Sequence, residues 1–484
     1  MKSGKTALFV LVLALFAFVM TSPFFKKDEP TPTVQTTAQG ESETARDSIH
    51  TEKALVKESE TRAVSTAHAL PITVIETEGV TIEHLPVLAP LDTAVGTVLV
   101  TGLPDTPPIA LTSNTPTVAP PVLVTGLADT LPIEVPALPP VFSKGEITAA
   151  YVATAYRLDF PKSDKADAES IREEIDAIVK KAKKNGINTL FFQVRPSSDA
   201  FYRSDIFPSS RYLVKNEGDE PPLDVLAYFI KAAHREGIAL HAWINPYRVR
   251  ASGDSASLSP KNPAAKNPAL LLTVQGGIYY HPALPEVISL ITAGVAELVR
   301  GYAVDGILFD DYFYPEGITT EDAAAYEAYR QGGGEKSLGD WRRENVNRLI
   351  QSCYRAIKSI RPDCLFGVSP RGIWRNIAED AFGSMTEGSA AYDSIYCDAM
   401  AWVRANEVDY LAPQLYFSYH DERAAFLTLS LWWQTALRDS GVLLIPSLAA
   451  YKLSPAELQS EIFYLSHLES CHGYALYRIS DLPS

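Results

Sequence analysis

Two neighbouring carboxylates, Asp310 and Asp311, are the residues of this sequence best suited to acid–base chemistry. They directly follow the apolar residues 307–309, a pattern typical of a buried strand. Like charges side by side destabilise each other unless one carboxyl keeps its proton or both are bound by partners. A carboxyl that keeps its proton near neutral pH can act as a general acid. We therefore predict Asp310, which shares a strand face with Leu308, as the acid. Asp311 either positions Asp310 or orients an acetamido group of a sugar that attacks its own anomeric carbon. An Asp that only caps the following segment is the alternative.

Other polar and aromatic side chains follow the remaining strand candidates, and Asp199 among them is a reserve carboxylate. Aromatic rings offer flat apolar faces to the C–H side of a pyranose, while amides and guanidinium groups bind its hydroxyl or acetamido groups. Each aromatic residue alone is more often core packing, and each arginine could be a structural ion-pair partner. The predicted substrate-binding residues are Arg195, Trp243, Asn245, Tyr247, Arg248, Tyr312, Arg371, Trp374, Gln414, Tyr416 and Tyr451.

Short apolar runs alternate with helix-period stretches throughout residues 146–484. The eight strand candidates are residues 149–155, 189–194, 239–244, 307–309, 365–369, 410–415, 442–447 and 474–479. Short continuous apolar strands between helices indicate a parallel sheet that is buried on both faces. Eight such units predict an α/β fold, a closed (β/α)8 barrel of the TIM type, whose reactive groups lie at the carboxyl ends of the strands. No helical pattern follows the eighth candidate.

The chain divides near residue 145. Lys2 and Lys5 precede an apolar run over residues 7–20, so residues 1–25 are predicted as a signal peptide or an N-terminal membrane anchor. Residues 26–145 are rich in Pro and Thr and show no sustained helical period, which predicts a long disordered linker. We expect an extracytoplasmic protein, secreted or held at the cell envelope by its N-terminal segment, with residues 146–484 as the catalytic barrel.

Composition and motifs exclude several other functions. A net charge of −15 disfavours nucleic-acid partners, which require a basic face. The sequence contains no Walker loop, GxGxxG, GxSxG or HExxH motif, and no metal-ligand spacing of Cys or His, so no cofactor and no metal are expected. A phosphate-handling barrel would carry glycines after strands seven and eight, but residues 447–452 and 478–481 contain none. Cys353 and Cys364 could pair in an exported protein, although reduced, buried cysteines are the expectation.

Seven strings in the barrel region resemble the glycosyl-hydrolase-like family ten, a family of bacterial cell-envelope proteins that includes a hydrolase of peptide-free peptidoglycan strands. The strings are YRLDFP (156–161), FFQVRPSSDAFY (191–202), HAWINPYR (241–248), DGILFDDYFYP (305–315), WRRENVNRLI (341–350), VSPRGIWRN (368–376) and DYLAPQLYF (409–417). The resemblance implies a (β/α)8 fold, a glycan substrate and a site on these loops. The sequence departs from the family at residues 149–152, where Arg-Gly-Val-Trp is usual, and at Leu308, where a polar residue is common.

Together these observations predict an exported glycoside hydrolase that cleaves cell-wall glycan strands, of the N-acetylated peptidoglycan type, by carboxylate acid–base catalysis. The alternative is a non-catalytic glycan-binding barrel that fixes the protein to the wall. Such a barrel would need the aromatic residues and not the acids. The sequence pattern indicates no particular oligomeric state.

Overall fold

The computed structural model describes residues 147–253 and 257–483, so the predicted N-terminal segment (1–25) and linker (26–145) lie outside the described residues. Eight strand positions form a parallel barrel. They are β1 Ile147–Val152, β2 Thr189–Arg195, β3 Ala239–Ile244, β4 Gly306–Phe309, β5 Leu365–Val368, β6 Tyr410–Leu411, β7 in two segments, Leu443–Leu444 and Ser447–Ala449, and β8 Gly473–Tyr477. The first segment of β7 pairs with β6 and the second with β8, so the sheet closes on itself. The predicted barrel is confirmed.

Helices cover the outside of the barrel between successive strands. They are α1 Ala168–Lys184, α2 Val225–Arg235, α3 Pro285–Gly301, α4 Leu338–Ile360, α5 Ala399–Ala405, α6 Phe426–Leu437 and α7 Pro455–Ser466. Further helical segments are Ala155–Arg157, Pro263–Lys266, Pro268–Leu270, Ala323–Gln331, Ala391–Ser394 and Ile479–Asp481. The helix α1 begins where the Asp167 side chain accepts from the backbone N–H of Ser170, and its residues Ile171, Ile175 and Val179 form a buried stripe. Among the described residues, no helix has the length and apolar character to cross a membrane.

Alternating side chains of the strands build two hydrophobic layers. On β2, Leu190 and Phe192 face the helices, whereas Phe191 faces the barrel interior together with Tyr151, Trp243 and other apolar residues. The Tyr151 ring packs edge-on against Phe191 at 5.0 Å and against Trp243 at 5.3 Å between ring centroids. An aromatic interior of this kind fills the barrel and makes a solid floor below its mouth.

A small antiparallel sheet is inserted between β3 and α3. Its strands are Arg248–Arg250, Leu271–Val274 and Gly277–Tyr280, with the last of these in the middle. Gln275 and Gly276 both have positive φ, at 50° and 78°, as expected for the tight turn that joins the second and third strands. Only three residues separate the first strand from the end of β3, so the insertion holds Arg248 close to the mouth of the barrel.

The segment after β8 forms a 3-10 turn, Ile479–Asp481. Lys181 Nζ on α1 donates to the carbonyl of Ser480 at 3.0 Å, and Asn185 Nδ2 donates to the carbonyl of Pro483 at 2.9 Å. These two hydrogen bonds hold the segment against the carboxyl-terminal end of α1.

The four cysteines are free thiols, and Cys353, Cys364 and Cys397 are buried. Burial raises the pKa of the Cys353 and Cys364 thiols to about 12, which keeps both protonated and unreactive. The pairing of Cys353 with Cys364 that the sequence left open is not formed.

Candidate active site

Asp310 and Asp311 lie directly after β4, at the carboxyl-terminal mouth of the barrel, and are only 3% and 8% exposed. Leu308 faces the barrel interior, and Trp243 reaches Asp310 from the neighbouring strand β3. The Trp243 indole N–H donates to Asp310 Oδ2 at 3.0 Å, and the backbone N–H of Tyr312 donates to Asp310 Oδ1 at 3.4 Å. Because β4 ends at Phe309, both acids belong to the loop and both stand at the mouth.

The surroundings of Asp310 favour its protonated form. Burial raises the pKa of this carboxyl from 3.8 to about 7; the charge of Arg248 and the Trp243 hydrogen bond oppose the rise, and the charge of Asp311 adds to it. A carboxyl with this pKa carries a proton through much of the neutral range. It can give that proton to a leaving group, as a general acid must.

Asp311 is surrounded by hydrogen-bond donors. Gln414 Nε2, after β6, donates to Asp311 Oδ1 at 2.9 Å, and Arg371 Nε, after β5, donates to Asp311 Oδ2 at 3.3 Å. Arg371 also donates to Glu316 Oε2 at 2.9 Å, so two acids neutralise this arginine. Asp311 is thus a fixed, compensated anion next to the protonated Asp310.

Three tyrosines form a wall on the side of the mouth made by the last strands. The Tyr416 ring lies 5.8 Å from Tyr477 and 6.4 Å from Tyr451, and Tyr451 lies 6.0 Å from Tyr477. Tyr451 is 47% exposed, as is Tyr312 beside the acids. Lys452 Nζ donates to the carbonyl of Tyr416 at 3.0 Å and holds the wall in place. Exposed rings at a mouth suit the apolar face of a sugar.

Tyr151 links three strands directly below the acids. Its hydroxyl is 2.8 Å from Ser447 Oγ and donates to Ser369 Oγ at 3.0 Å. Burial raises the pKa of Tyr151 to about 12, so the hydroxyl is neutral. The side-chain amide of Gln414 also donates to the carbonyl of Ser369 at 3.2 Å, which connects this floor to Asp311.

Three predicted site residues are buried away from the mouth. Arg195 is 1% exposed, with its guanidinium 4.0 Å above the ring of Phe207 and beside α3, because a bulge in β2 between Gln193 and Arg195 turns its side chain toward the helices. Asp199 is fully buried and accepts from Ser210 Oγ at 2.8 Å. Tyr247 is also fully buried. The contacts of these residues give no support to a role in substrate binding or catalysis.

Asn245 and Trp374 position loops. Asn245 is fully buried, and its Oδ1 accepts from the backbone N–H of Arg248 at 3.1 Å. Trp374 is 6% exposed, donates to Asp398 Oδ1 at 3.2 Å and stacks on Trp432 at 5.8 Å, so neither face of its indole is open to a sugar. The structure therefore gathers six predicted residues around the two acids: Trp243, Arg248, Tyr312, Arg371, Gln414 and Tyr416, with Tyr451 at the rim.

Sequence reasoning missed several residues of this mouth. Tyr151 could have been found because it alternates with Ala149 on the inward face of the first strand. Glu316 follows Asp311 by five residues, directly after the string 305–315, and could have been found as its neighbour in the same loop. Tyr477 could have been found because it ends β8, inside the predicted eighth strand, whereas no local pattern marks Tyr156, which loop conformation brings to the mouth.

The chemistry available at this mouth is proton transfer and hydrogen bonding to oxygen. In residues 147–253 and 257–483, no three His, Cys, Asp or Glu side chains gather in a way that could hold a metal ion. A protonated carboxyl, a fixed anion and exposed tyrosine rings can bind a sugar and donate a proton to the oxygen of its glycosidic bond.

Several known proteins are similar to this chain. The sequence model of a family described as glycosyl hydrolase-like 10 matches residues 146–465. The chain is 34% identical over 361 residues to glycosyl hydrolase YngK of Bacillus subtilis (strain 168), covering 72% of this chain and 71% of that protein. It is 36% identical over 330 residues to glycosyl hydrolase DigH of Escherichia coli (strain K12), covering 64% and 75%. Among solved structures, the PgaB (BpsB) glycoside hydrolase domain of Bordetella bronchiseptica has a TM-score of 0.46 and 12% identity, over 69% of this chain and 94% of that one, which is too distant to bear on function.

Proposed function

The chain belongs to the glycosyl hydrolase-like 10 family, and from this membership and its site we propose that it is a glycoside hydrolase of N-acetylated, peptidoglycan-type glycan strands. The observation that carries the proposal is the state of Asp310. It is a nearly buried carboxyl at a barrel mouth, and its surroundings raise its pKa to about 7, mainly through burial. The tyrosines around it supply the apolar faces that a sugar ring requires.

Asp310 acts in this proposal as the general acid. Its proton passes to the glycosidic oxygen while the bond between that oxygen and the anomeric carbon breaks. The resulting carboxylate then accepts a proton from the water that completes hydrolysis. Trp243 and the backbone of Tyr312 hold the carboxyl in one orientation through both steps.

Asp311 acts as a positioning anion. Both of its oxygens already accept hydrogen bonds, from Gln414 and from Arg371, which makes it a poor nucleophile toward the anomeric carbon. A fixed carboxylate can instead orient the N–H of the sugar's acetamido group. The acetamido oxygen then bonds to the anomeric carbon as the glycosidic bond breaks, and water reopens the ring that forms. This step restricts the enzyme to N-acetylated sugars.

The test is to incubate the full chain, Asp310→Asn and Asp363→Asn with peptide-free peptidoglycan strands and to identify the products by mass spectrometry. Asp363 is a suitable control because its side chain is 78% exposed and its ion pair with Arg361 is long, at 3.9 Å. We expect fragments with new reducing ends from the wild type and from Asp363→Asn only. Full turnover by Asp310→Asn would refute the acid assignment. Equal cleavage of N-deacetylated strands would refute the acetamido step and leave the acid role standing.

A non-catalytic glycan-binding barrel is the second candidate, because the half-exposed Tyr312 and Tyr451 would serve binding equally well. Binding alone gives no reason for a carboxyl with a raised pKa at the mouth, which is why hydrolysis is preferred. Tight pelleting of the protein with strands, without fragments from any variant, would favour the binding barrel.

We also propose that the protein acts outside the cytoplasm and is held at the cell envelope through its N-terminal segment. The support is the sequence of that segment, in which Lys2 and Lys5 precede an apolar run. Fractionation of cells that express the full chain tests this. Recovery of the protein only in the cytoplasm, with its N-terminus intact, would contradict it.

A further inference from the structure

Arg248 is a partly exposed arginine at the mouth, and it makes no ion-pair contact with a carboxylate among the described residues. None of the ion pairs found in residues 147–253 and 257–483 includes it, whereas Arg371 on the other side of the acids is bound by Asp311 and Glu316. Arg248 Nε and Nη2 both donate to the carbonyl of Pro196, at 3.0 and 2.9 Å. The guanidinium is therefore fixed in place by a neutral hydrogen-bond partner, and no carboxylate contacts it directly among the described residues.

One half-exposed tyrosine, Tyr312, contacts this guanidinium, and a second, Tyr156, lies within its electrostatic reach. The guanidinium carbon lies 4.9 Å from the ring centroid of Tyr312, and Tyr312 and Tyr156 are each 47% exposed. Burial and Tyr212 raise the pKa of Tyr156, and the charge of Arg248 opposes that rise, which places the arginine within electrostatic reach of Tyr156. The same charge opposes the rise in the pKa of Asp310, so Arg248 also stands close to the acid.

The backbone at Tyr156 is held in a conformation that bulky residues rarely adopt. Tyr156 and Arg157 both have φ of 55°, in the left-handed region. Arg157 fastens this turn: its Nε donates to the carbonyl of Tyr212 at 2.8 Å, and its Nη2 lies 3.0 Å from Asp164 Oδ2. Conformations of this kind persist where the surrounding structure enforces them, and they cluster at binding sites. Here the turn leaves the Tyr156 side chain half-exposed against Tyr212 and within electrostatic reach of Arg248.

We propose that Arg248, Tyr156 and Tyr312 form a subsite for a sugar that bears a carboxylate, and that Arg248 selects for that group. A fixed guanidinium forms charge-assisted hydrogen bonds with a carboxylate, and the two rings supply apolar contact to the sugar. A chain with a net charge of −15 repels acidic glycans overall, so recognition of one requires such a local cation. The inference rests on the proposed function and specifies which strands the same site accepts.

Two kinds of sugar carry a suitable carboxylate: one with an ether-linked lactyl group, and a uronic acid. The test uses Asp310→Asn, which is expected to hold strands without cleaving them, and measures affinity by calorimetry. The probes are peptide-free muramic-acid strands, the same strands with their carboxylates amidated by methylamine, and oligosaccharides of glucuronic acid and N-acetylglucosamine. We expect amidation to weaken binding about tenfold, as for loss of a charge-assisted hydrogen bond. Tighter binding of the muramic or of the glucuronic probe identifies the source of the carboxylate.

Substitution assigns the preference to Arg248. In the Asp310→Asn background, Arg248→Gln should bring the ratio of the affinities for free and amidated strands close to one. Arg248→Lys should retain part of the preference for free strands. The control is Arg203→Gln, since Arg203 is an exposed arginine loosely paired with Glu220 at 3.8 Å, and it should keep the full ratio. An unchanged ratio in Arg248→Gln would overturn the assignment.

Equal binding of free and amidated strands would overturn the inference without any variant. If wild type also cleaves both strands at the same rate, the hydrolase proposal stands while this inference fails. If no strand is cleaved but the preference for free carboxylates is present, the inference stands and the hydrolase proposal fails.

Discussion

At the scale of single residues, two adjacent carboxylates reach different states because their neighbours differ. Asp310 is buried against Trp243, and burial raises its pKa to about 7. Asp311, one residue later, has a donor on each oxygen, from Gln414 and from Arg371. Asp310 and Asp311 thus provide a proton donor and a fixed anion within one loop.

The protonation of Asp310 predicts the alkaline side of the pH–rate profile. A general acid works only while protonated, so kcat/KM should fall as the pH rises through about 7. Trp243 donates to this carboxyl and so favours its ionised form. Trp243→Phe should therefore move the alkaline limb to higher pH, by up to about one unit for one lost hydrogen bond.

The control for this prediction is Trp432→Phe, because the Trp432 indole donates to the carbonyl of Phe382 and not to an acid. Its alkaline limb should coincide with that of the wild type. A limb that moves to lower pH in Trp243→Phe, or that does not move, would show that Asp310 does not control it.

The sequence alone could predict the two acids, because an apolar strand followed directly by Asp-Asp is a local pattern. It could not predict that Arg195 turns away, since that depends on a bulge in β2. It also could not predict the burial of Trp374, which the loop after β5 and the helix α6 produce by stacking Trp432 on it. These outcomes depend on tertiary packing, which residue type and spacing do not encode.

At the scale of elements, the helix α4 holds the loop that carries both acids. Arg342 Nε and Nη2 donate to the two oxygens of Asp322 at 2.9 and 2.5 Å, and Nη2 also donates to the carbonyl of Thr319 at 2.9 Å. The side chains of Arg342 and Asp322 are 2% and 0% exposed. The end of the loop after β4 is therefore fixed to the outer layer of the barrel through a buried ion pair.

This pair makes a prediction about stability. Arg342→Met should lower the free energy of unfolding by about 3–5 kcal/mol, because it leaves the Asp322 carboxylate buried without a partner. The matched control on the same helix is Arg348→Met, which removes an exposed pair with Glu344 at 3.5 Å and should change the free energy by less than about 1 kcal/mol. Urea denaturation of the two variants measures both. Equal effects would mean that the buried pair does not hold the loop.

The extent of the strands was only partly predictable. The sixth candidate, residues 410–415, forms a strand only at Tyr410–Leu411, because Pro413 has no N–H to donate to a neighbouring strand. The seventh candidate is interrupted at Pro446 for the same reason, between Leu443–Leu444 and Ser447–Ala449. The segment before the interruption pairs with β6, and the segment after it pairs with β8.

At the scale of the whole molecule, the repetition of apolar runs and helical stretches was enough to predict a closed barrel. The closure itself depends on a detail that the pattern does not contain. At Gly473, where β8 meets β1, φ is 142° and a Cβ would lie 1.9 Å from the carbonyl oxygen of Ile147, so only glycine permits the two strands to pair there. The predicted N-terminal segment and linker lie outside the described residues and remain predictions.

The measurement that tests the central claim most directly compares wild type and Asp310→Asn on two substrates. One is the unmodified strand, whose leaving oxygen needs a proton, and the other is a dinitrophenyl glycoside of an N-acetylated disaccharide, whose leaving group departs without one. If Asp310 is the general acid, Asp310→Asn should lose at least about a hundredfold in kcat/KM on the strand. On the dinitrophenyl glycoside it should keep activity within about tenfold of the wild type, since only the acid step is removed. An equal loss on both substrates, or no loss on the strand, would contradict the account.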